Sequence, residues 1–456
     1  MRCLKNFCKN GRTVFWSVLC GVLALLPFTA CAQETTVSTK EGEWPDGSRI
    51  EEWFTEGSQG SVGVTEENAA GVGRGTAAGA LRFSIRDFGA ISFEEVTGSA
   101  APAMQTAALQ RAIDAAAQAG GGTVIIPAGT WYSGALFFKP GTCLYLEKGA
   151  VLKGSTNISD YPDAEVHIEG KLQPYPAALV NAYAVDGFSI TGEGVIDGSG
   201  LPYWEAFWAR RKENRNCTNL EVRRPRMIYI NHSHDVLIEG VHLLNSGFWT
   251  THLYKCERVR LRNVEIYAPM KPVKAPSSDG VDLDACKWVH ITGCSIATGD
   301  DLISLKGGKG PWADTDPDNG VNERILVENC QFGHGPGALV CGSECLGAKN
   351  IILRDSECSG TGRLIWLKMR PDTPQRYEWI RIERVKGQVE RVVYVKPWKQ
   401  FFDLQGRPDI PMSYASDILI RHCSMKCKKV WRVEEAPDQY QLTNFSLLEN
   451  QFEEGE

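Results

Sequence analysis

A short strand pattern that returns through most of the chain is the feature that most restricts its fold. Each copy has an apolar residue, a second apolar residue two positions later, and Cys, Val or another small residue five positions after the first. The seven copies, spaced by 23 to 38 residues, begin at Val236, Val259, Val289, Ile325, Ile351, Ile380 and Ile418. Alternation with a period of two marks a strand with one buried face, and this spacing between copies is typical of a solenoid. The pattern therefore predicts an all-β fold, a right-handed parallel β-helix.

One segment has the period of a helix instead. From Thr106 to Ala119 the apolar side chains fall on one side, and Gly120-Gly121-Gly122 is a helix stop. Because a solenoid must cover the apolar edge of its first coil, we interpret this helix as an N-terminal cap. We expect an N-terminal extension and linker at residues 32–82, followed by a parallel β-helix catalytic domain at 83–456.

The first 31 residues have the composition of an export signal. Basic residues precede a mostly apolar stretch from Thr13 to Ala30, and small residues follow at Ala30-Cys31-Ala32. Two processing routes stay open, cleavage after Ala32 or lipidation of Cys31 as the new N-terminus. No other stretch has the ~18 apolar residues that a membrane helix needs. We predict an exported monomer, periplasmic or extracellular, with Cys31 as a candidate lipid anchor.

Composition argues against nucleic-acid binding and against a zinc site. The formal net charge of −6 is unsuited to a polyanion-binding protein. Eleven cysteines follow the export signal, an odd number spread over a long chain. The close pairs Cys341/Cys345 and Cys423/Cys427 have no histidine or second pair to complete a tetrahedral site. We interpret most of these thiols as small core residues.

Two acidic motifs lie on either side of the strand that begins at Val289. The first is Ser277-Ser278-Asp279-Gly280-Val281-Asp282, and the second is Thr298-Gly299-Asp300-Asp301-Leu302. Asp279 precedes Asp300 and Asp301 by 21 and 22 residues, about one coil, so the carboxylates can face one another from adjacent rungs. Hydrolysis of a glycosidic bond needs one protonated and one ionised carboxyl group. Turn formation is the alternative role, because Asp and Gly suit turns.

Basic residues flank these motifs at Lys271, Lys274, Lys306, Lys309, Lys368 and Arg370. A site that mixes carboxylates with cations can accept an acidic sugar. For each lysine singly, an ordinary solvated charge is the alternative.

With these motifs in place, the chain resembles glycoside hydrolase family 28, the polygalacturonase and rhamnogalacturonan hydrolase family, over roughly residues 83 to 425. The opening of the resemblance, such as Arg86-Asp87-Phe88-Gly89-Ala90, is shared with other pectin-active β-helices and indicates the fold. The specific part follows the family's order in Ser278-Asp279-Gly280, Gly299-Asp300-Asp301, Gly333-His334-Gly335 and Lys368.

The resemblance implies an inverting hydrolase of α-linked galacturonate in pectin, with no metal and no cofactor. Asp300 would protonate the glycosidic oxygen, and Asp279 and Asp301 would hold and deprotonate the attacking water. His334 would tune the acid or hold the sugar, and Lys368 would pair with the galacturonate carboxylate beside the cleaved bond. Three carboxylates so close cannot all ionise freely, so one pKa should rise. In inverting enzymes the two carboxyl groups usually lie ~6.5–9.5 Å apart.

The chain departs from the family pattern beside Lys368. The family's Arg-Ile-Lys corresponds to Trp366-Leu367-Lys368, which replaces a side chain for carboxylate recognition with a flat apolar ring. This substitution favours a neutral sugar such as rhamnose on the leaving side, as in rhamnogalacturonan. If Arg363 or Arg370 supplies the missing cation instead, a plain homogalacturonan polygalacturonase is indicated.

Further substrate contacts are expected at Lys306 and at Trp249 and His252, which stand where the family has substrate-side residues. Core packing or turn capping is the alternative for Trp249 and His252. The family's Asn-Thr-Asp is Ser277-Ser278-Asp279 here, which keeps the acid but loses an amide.

Two other functions are weighed against hydrolysis. A pectate lyase uses the same fold but needs a strong base and usually Ca²⁺, for which a run of aspartates is a conceivable site. A non-catalytic β-helix that binds carbohydrate would have no reason to keep the motif residues together. The inserts 307–322 and 397–413 are long enough to close one end of a groove and so to impose exo action.

Overall fold

The computed structural model describes residues 35–55, 81–96, 103–400 and 403–455. The predicted export signal and the segment 57–80, rich in Gly, Ala, Ser and Glu, lie outside the described residues. No helix within the described ranges is long and apolar enough to cross a membrane.

The described ranges contain two α-helices and 32 strands. The helices are α1 (Thr106–Gln118) and α2 (Leu201–Glu213). The strands are β1 (Arg82–Ser84), β2 (Gly122–Ile126), β3 (Gly129–Ser133), β4 (Leu136–Phe138), β5 (Thr142–Leu146), β6 (Ala150–Gly154), β7 (Asp163–Ile168), β8 (Lys171–Pro176), β9 (Val180–Tyr183), β10 (Ser189–Gly192), β11 (Val195–Asp197), β12 (Ile228–Asn231), β13 (His234–Glu239), β14 (His242–Leu244), β15 (Thr251–Tyr254), β16 (Glu257–Arg262), β17 (Glu265–Tyr267), β18 (Val281–Asp284), β19 (Lys287–Thr292), β20 (Ser295–Ala297), β21 (Ile303–Lys306), β22 (Val321–Glu328), β23 (Gln331–Phe332), β24 (Leu339–Cys341), β25 (Gly347–Arg354), β26 (Glu357–Met369), β27 (Arg376–Glu383), β28 (Lys386–Pro397), β29 (Ser413–Arg421), β30 (Ser424–Val433), β31 (Tyr440–Leu448) and β32 (Gln451–Glu454).

The strands stack in three parallel rows, which confirms the predicted parallel β-helix. The first row is β1-β2-β5-β10-β13-β16-β19-β22-β25-β27-β29-β31. The second row is β3-β6-β11-β14-β17-β20-β23, and the third is β4-β9-β12-β15-β18-β21-β24. Both continue into the long strand β26 and then into β28, β30 and β32.

The repeat found in the sequence is a register column of the first row. Val236 pairs with Val259, which pairs with Val289, and the column continues through Ile325, Ile351, Ile380 and Ile418. The small residue five positions after the start of each copy is buried throughout, as Val241, Val264, Cys294, Cys330, Ser356, Val385 and Cys423 show. One apolar core therefore runs along the axis, and each coil contributes the same positions to it.

The expected helix cap is present. Helix α1 buries Ala108, Leu109, Ala112, Ile113 and Ala116 in the same cluster as the first coils. The cysteines also behave as predicted, since the eleven described thiols are free and ten are buried.

Two segments pack on the outside of the coils. Residues 35–55 lie against the first row, where Trp44, Ile50 and Phe54 form a buried cluster with Leu326 and Ile352. The antiparallel hairpin of β7 and β8 lies over the third row instead. Its buried side chains share an apolar cluster with residues of the third row and the turn before β15, made of Val166, Ile168, Tyr175, Ala178, Tyr229, Phe248, Trp249 and Tyr254.

Candidate active site

The two acidic motifs occupy equivalent turns of adjacent coils, directly before strands β18 and β21 of the third row. Gly280 N donates to Asp301 O at 2.9 Å and Val281 pairs with Ile303, so Asp279 lies beside Asp301 in register. Ser278 fixes the turns, because its hydroxyl donates to Ala275 O and accepts from Gly299 N, each at 3.0 Å. The predicted meeting of the aspartates on adjacent rungs is confirmed.

The three carboxylates form one compact cluster. One oxygen from each of Asp279, Asp300 and Asp301 lies within 4.8 Å of the others. This distance joins the nearest oxygens, whereas the ~6.5–9.5 Å that describes most inverting enzymes is a separation between whole carboxyl groups. A water that makes hydrogen bonds of ~2.7 Å to two carboxylates spans oxygens up to about 5.4 Å apart. The facing oxygens are thus close enough to share a single water molecule.

Two lysines neutralise two of the three aspartates. Lys368 Nζ lies 2.6 Å from Asp301 Oδ2, and Lys306 Nζ lies 3.2 Å from Asp279 Oδ2. The two lysines share a register column with Gly342 between them, where a Cβ would meet Ser304 Oγ at 2.7 Å and Lys306 Nζ at 3.7 Å. The glycine therefore leaves the space that the two ammonium groups use.

Burial raises the pKa of Asp279 to about 7, because the charges of Asp300 and Asp301 add to the cost of desolvation and Lys306 only partly opposes it. Burial and the charge of Asp301 also raise the pKa of Asp300, against the effect of Lys368. Because the groups lie so close together, they titrate as one cluster. That cluster retains a proton into the neutral range.

Three further acids lie in or directly beneath this part of the site. Asp282 ends the first acidic motif but has no predicted role there, and Glu169 and Glu344 lie outside both motifs. Asp282 is fully buried, with Oδ1 3.4 Å from Lys306 Nζ, and burial together with Asp279 raises its pKa far above the usual range. Glu344 lies 3.3 Å from the same ammonium group. Glu169, at the turn of the β7–β8 hairpin, accepts from Lys309 Nζ at 2.9 Å. The alternation Val281-Asp282-Leu283-Asp284 could have indicated acids on the outer face of β18, whereas Glu169 and Glu344 lie outside any repeat.

The carboxylates open into a cavity of about 250 Å³. Its walls come from the third row, from α2 through Phe207, Trp208 and Arg211, and from the chain after β28 through Trp398 and Gln400. Trp249, Lys306, Trp366 and Lys368 also line it, together with Glu169, Asn219, Lys274, Pro276, Ser277, Pro336, Ser343 and Glu344. Carboxylates, ammonium groups and indole rings thus face one space, a combination suited to a charged sugar.

Three of the predicted site residues do not line this cavity. His252 is fully buried below it, with Nε2 3.0 Å from Asp284 Oδ2 and Nδ1 2.9 Å from Arg226 Nη1. Arg370 is buried in a two-pronged pair with Asp372 at 2.7 and 2.6 Å. The ring of His334 has Nε2 2.9 Å from Ala268 O. For His252 and Arg370, the internal pairing explains the position, since a buried ionisable group must find a partner.

Trp366 lines the cavity, but little of its ring is open. The side chain is 7% exposed, and the guanidinium of Arg363 and the ammonium of Lys368 each lie 4.4 Å from its ring centre. Trp398 and Tyr394 approach it with their rings 5.5 Å away. Cations therefore lie over the Trp366 ring, and little of its face is open for a sugar to stack on.

A shared cation is geometrically conceivable among the three aspartates, since one oxygen of each lies within 4.8 Å of the others. The ammonium groups of Lys306 and Lys368 already supply positive charge beside two of the three carboxylates. The protein's own side chains therefore balance two of the three carboxylates.

Comparison with known proteins agrees with this fold. The model of the family "Glycosyl hydrolases family 28" matches residues 123–369, more than half of the chain. The chain belongs to glycoside hydrolase family 28, and both acidic motifs, His334 and Lys368 lie within the matched residues.

The two plant relatives that follow are each less than 30% identical to this chain. An exopolygalacturonase from Platanus acerifolia is 26% identical over 305 residues, which are 66% of this chain and 70% of the relative. A probable polygalacturonase from Vitis vinifera is 29% identical over 203 residues, 41% of this chain but only 38% of the relative. Among solved structures, an exopolygalacturonase from Thermotoga maritima superimposes with a TM-score of 0.67 at 23% identity, covering 79% of this chain and 84% of the other. At that identity the likeness establishes the fold.

Proposed function

We propose that the protein is an exo-acting α-galacturonidase, which removes galacturonate from the non-reducing end of pectin chains by hydrolysis with inversion. The observation that carries this proposal is a carboxylate cluster in a cavity with one end covered by the β7–β8 hairpin. The family membership and the names of the relatives agree with it.

The roles of the carboxylates follow from their partners. Asp300 is the general acid, because it is the most exposed of the three and forms no ion pair among the described residues. Asp301 holds the attacking water, since Oδ2 is bound to Lys368 and Oδ1 is buried with no hydrogen-bond partner in the described ranges. Asp279 completes the pair that orients and deprotonates this water. Lys368 also faces the cavity, where it can bind the carboxylate of the galacturonate whose bond is cut.

The covered end allows only one sugar beyond the cleaved bond. Trp249 lies one rung before Asp279, about 4.8 Å away along the axis, since Thr250 N donates to Asp279 O. The hairpin covers that rung, and its turn contacts the 307–320 loop so closely that a Cβ on Gly170 would lie 2.7 Å from Lys309 N. The leaving group then lies over Lys368 and Trp366. The sugar at the non-reducing terminus therefore occupies the covered end.

The same geometry favours homogalacturonan over rhamnogalacturonan. Trp366 motivated the expectation of a neutral leaving sugar, but stacking needs an open ring face, and cations lie over this ring. Export through the N-terminal segment is part of the proposal, because pectin is an extracellular polymer.

Product analysis tests the proposal directly. Oligogalacturonides labelled at the reducing end should lose one galacturonate at a time, so that labelled products shorten by single residues from the first time points. A random ladder of labelled fragments would indicate endo cleavage. Products that absorb in the ultraviolet would indicate elimination, and cleavage of rhamnogalacturonan oligosaccharides alone would overturn the substrate assignment.

A further inference from the structure

Arg363 occupies the same register column as the catalytic aspartates. Leu302 N donates to Gly337 O at 2.9 Å and Ala338 N donates to Arg363 O at 2.8 Å, so the column runs Asp279, Asp301, Gly337, Arg363. Gly337 has no side chain, and Arg363 Nη1 donates to Pro336 O at 3.1 Å. Pro336 lines the cavity whereas Arg363 does not, so the guanidinium lies next to a residue of the cavity wall, two coils beyond Asp301 on the leaving side.

The charge of Arg363 is not balanced within the protein. Among the described residues it forms no ion pair, and its Nε is buried without a hydrogen-bond partner. Arg391, the next residue in the column, differs because it pairs with Glu390 at 3.0 Å.

Two indole donors beside Arg363 are also unpaired. Trp366 Nε1 and Trp398 Nε1 are buried without a hydrogen-bond partner in the described part of the chain, and both residues line the cavity. A buried donor without a partner is costly, so each one calls for an explanation. The two indole rings lie 5.5 Å apart, and the ammonium of Lys368 lies 4.4 and 5.0 Å from their ring centres. A ligand that only accepts hydrogen bonds is suited to this group of donors.

The guanidinium is held in place by aromatic rings. It lies 4.4 Å from the ring centre of Trp366 and 4.9 Å from that of Tyr394. Stacking on rings leaves the edge of the guanidinium available, and that edge matches the two oxygens of a carboxylate.

We propose that Arg363 is a specificity-determining residue, which binds a galacturonate carboxylate on the leaving side of the cleaved bond. In this arrangement the cation that the family has at position 366 is replaced by Arg363, three residues earlier. The ring of Trp366 then packs against the guanidinium of Arg363. The inference rests on the proposed galacturonidase activity and adds the chemistry of the leaving-side sugar.

Two disaccharides that differ in one carboxylate test this assignment. One is galacturonate linked to galacturonate, and the other is galacturonate linked to galactose. The wild type should have a kcat/KM about 10- to 100-fold higher on the first, the range expected for a hydrogen-bonded charge pair. Arg363→Met should bring this ratio close to one, and Arg363→Lys should keep part of it.

The control is Arg391→Met, which removes the neighbouring arginine of the same column and should preserve the wild-type ratio. Thermal unfolding shows whether the variants are folded. The ratio measured for the wild type remains informative even if the Arg363→Met variant does not fold. Equal cleavage of both disaccharides by the wild type, or a ratio unchanged in a folded Arg363→Met or Arg363→Lys, would overturn the inference alone. Cleavage of neither disaccharide by the wild type would overturn the proposed function, and the inference with it.

Discussion

Lys368 Nζ lies 2.6 Å from Asp301 Oδ2, whereas the neighbouring carboxylate of Asp300 forms no ion pair among the described residues. Two adjacent residues of one turn thus have opposite electrostatic environments. Lys368 gives Asp301 a cationic partner, whereas burial with the charge of Asp301 raises the pKa of Asp300. A raised pKa is what a general acid requires.

Asp300→Asn should remove the general acid and lower turnover on oligogalacturonides by ~10²–10⁴. The loss should be smaller on an aryl α-galacturonide, because a phenolate leaves without being protonated. Asp301→Asn is the matched comparison and should impair both substrates alike, since it affects the water. A folded Asp300→Asn enzyme with near-normal turnover on oligogalacturonides would contradict the assignment.

Hydrolysis should release the β-anomer first from an α-linked substrate, and activity should survive a chelator. The nearest oxygens of the three aspartates are so close that the carboxyl separation does not by itself distinguish inversion from retention. The anomer of the product must therefore be observed. Proton NMR of the first turnovers is the measurement. Release of the α-anomer would indicate that an aspartate acts as a nucleophile, and loss of activity with the chelator would indicate a metal.

The pH profile should have its acidic limb near pH 7, because Asp279 must lose its own proton before it can accept one from the attacking water. Because the charge of Lys306 lowers the pKa of Asp279, Lys306→Met should raise that pKa and move the limb to higher pH. The buried acids around Lys306 would also lose their cation, at a cost of ~3–5 kcal/mol in the free energy of unfolding.

Lys309→Met is the control for this shift, because the ammonium of Lys309 contacts Glu169 and Glu344 instead of the aspartates. Its kcat/KM profile should keep the wild-type limb. An unshifted limb in a folded Lys306→Met variant would show that the cluster does not set the pH dependence.

The hairpin should lose stability as the pH rises. His167 of β7 lies 2.5 Å from Asp284 Oδ2 and 3.1 Å from Asn319 Oδ1, and although burial lowers its pKa, Asp284 raises it further, above the usual value. A raised folded pKa gives stability that is complete below ~6.5 and lost as the pH rises through the folded value. Melting temperatures of the wild type should therefore fall over that interval.

His167→Asn should flatten this dependence and lower the melting temperature below pH 6.5. His234→Asn, which removes an exposed histidine paired with Asp186 at 2.9 Å, should change little, since exposed pairs contribute little. Parallel melting curves for wild type and His167→Asn at every pH would refute the role of this pair.

The sequence predicts the repeating parts of the molecule well. The column from Val236 to Ile418 and the neighbouring positions of Asp279 and Asp301 follow from local alternation and from spacing near one coil. Parts that depend on pairing across the fold are harder to predict. Nothing local distinguishes His252, buried against Asp284, from a histidine that faces a substrate. The hairpin of β7 and β8 belongs to no repeat, so its position over the third row depends on contacts with distant residues such as Trp249 and Asn319.

The covered end of the cavity has a consequence for how a polymer would be degraded. If the site has a single entrance, the released monosaccharide lies behind the shortened chain and can leave only after that chain has withdrawn. Each cut would then require a new encounter, so one chain could not be shortened repeatedly in a single visit. The rate of degradation would follow the concentration of chain ends, and an endo-acting partner that creates ends would accelerate it without changing the enzyme.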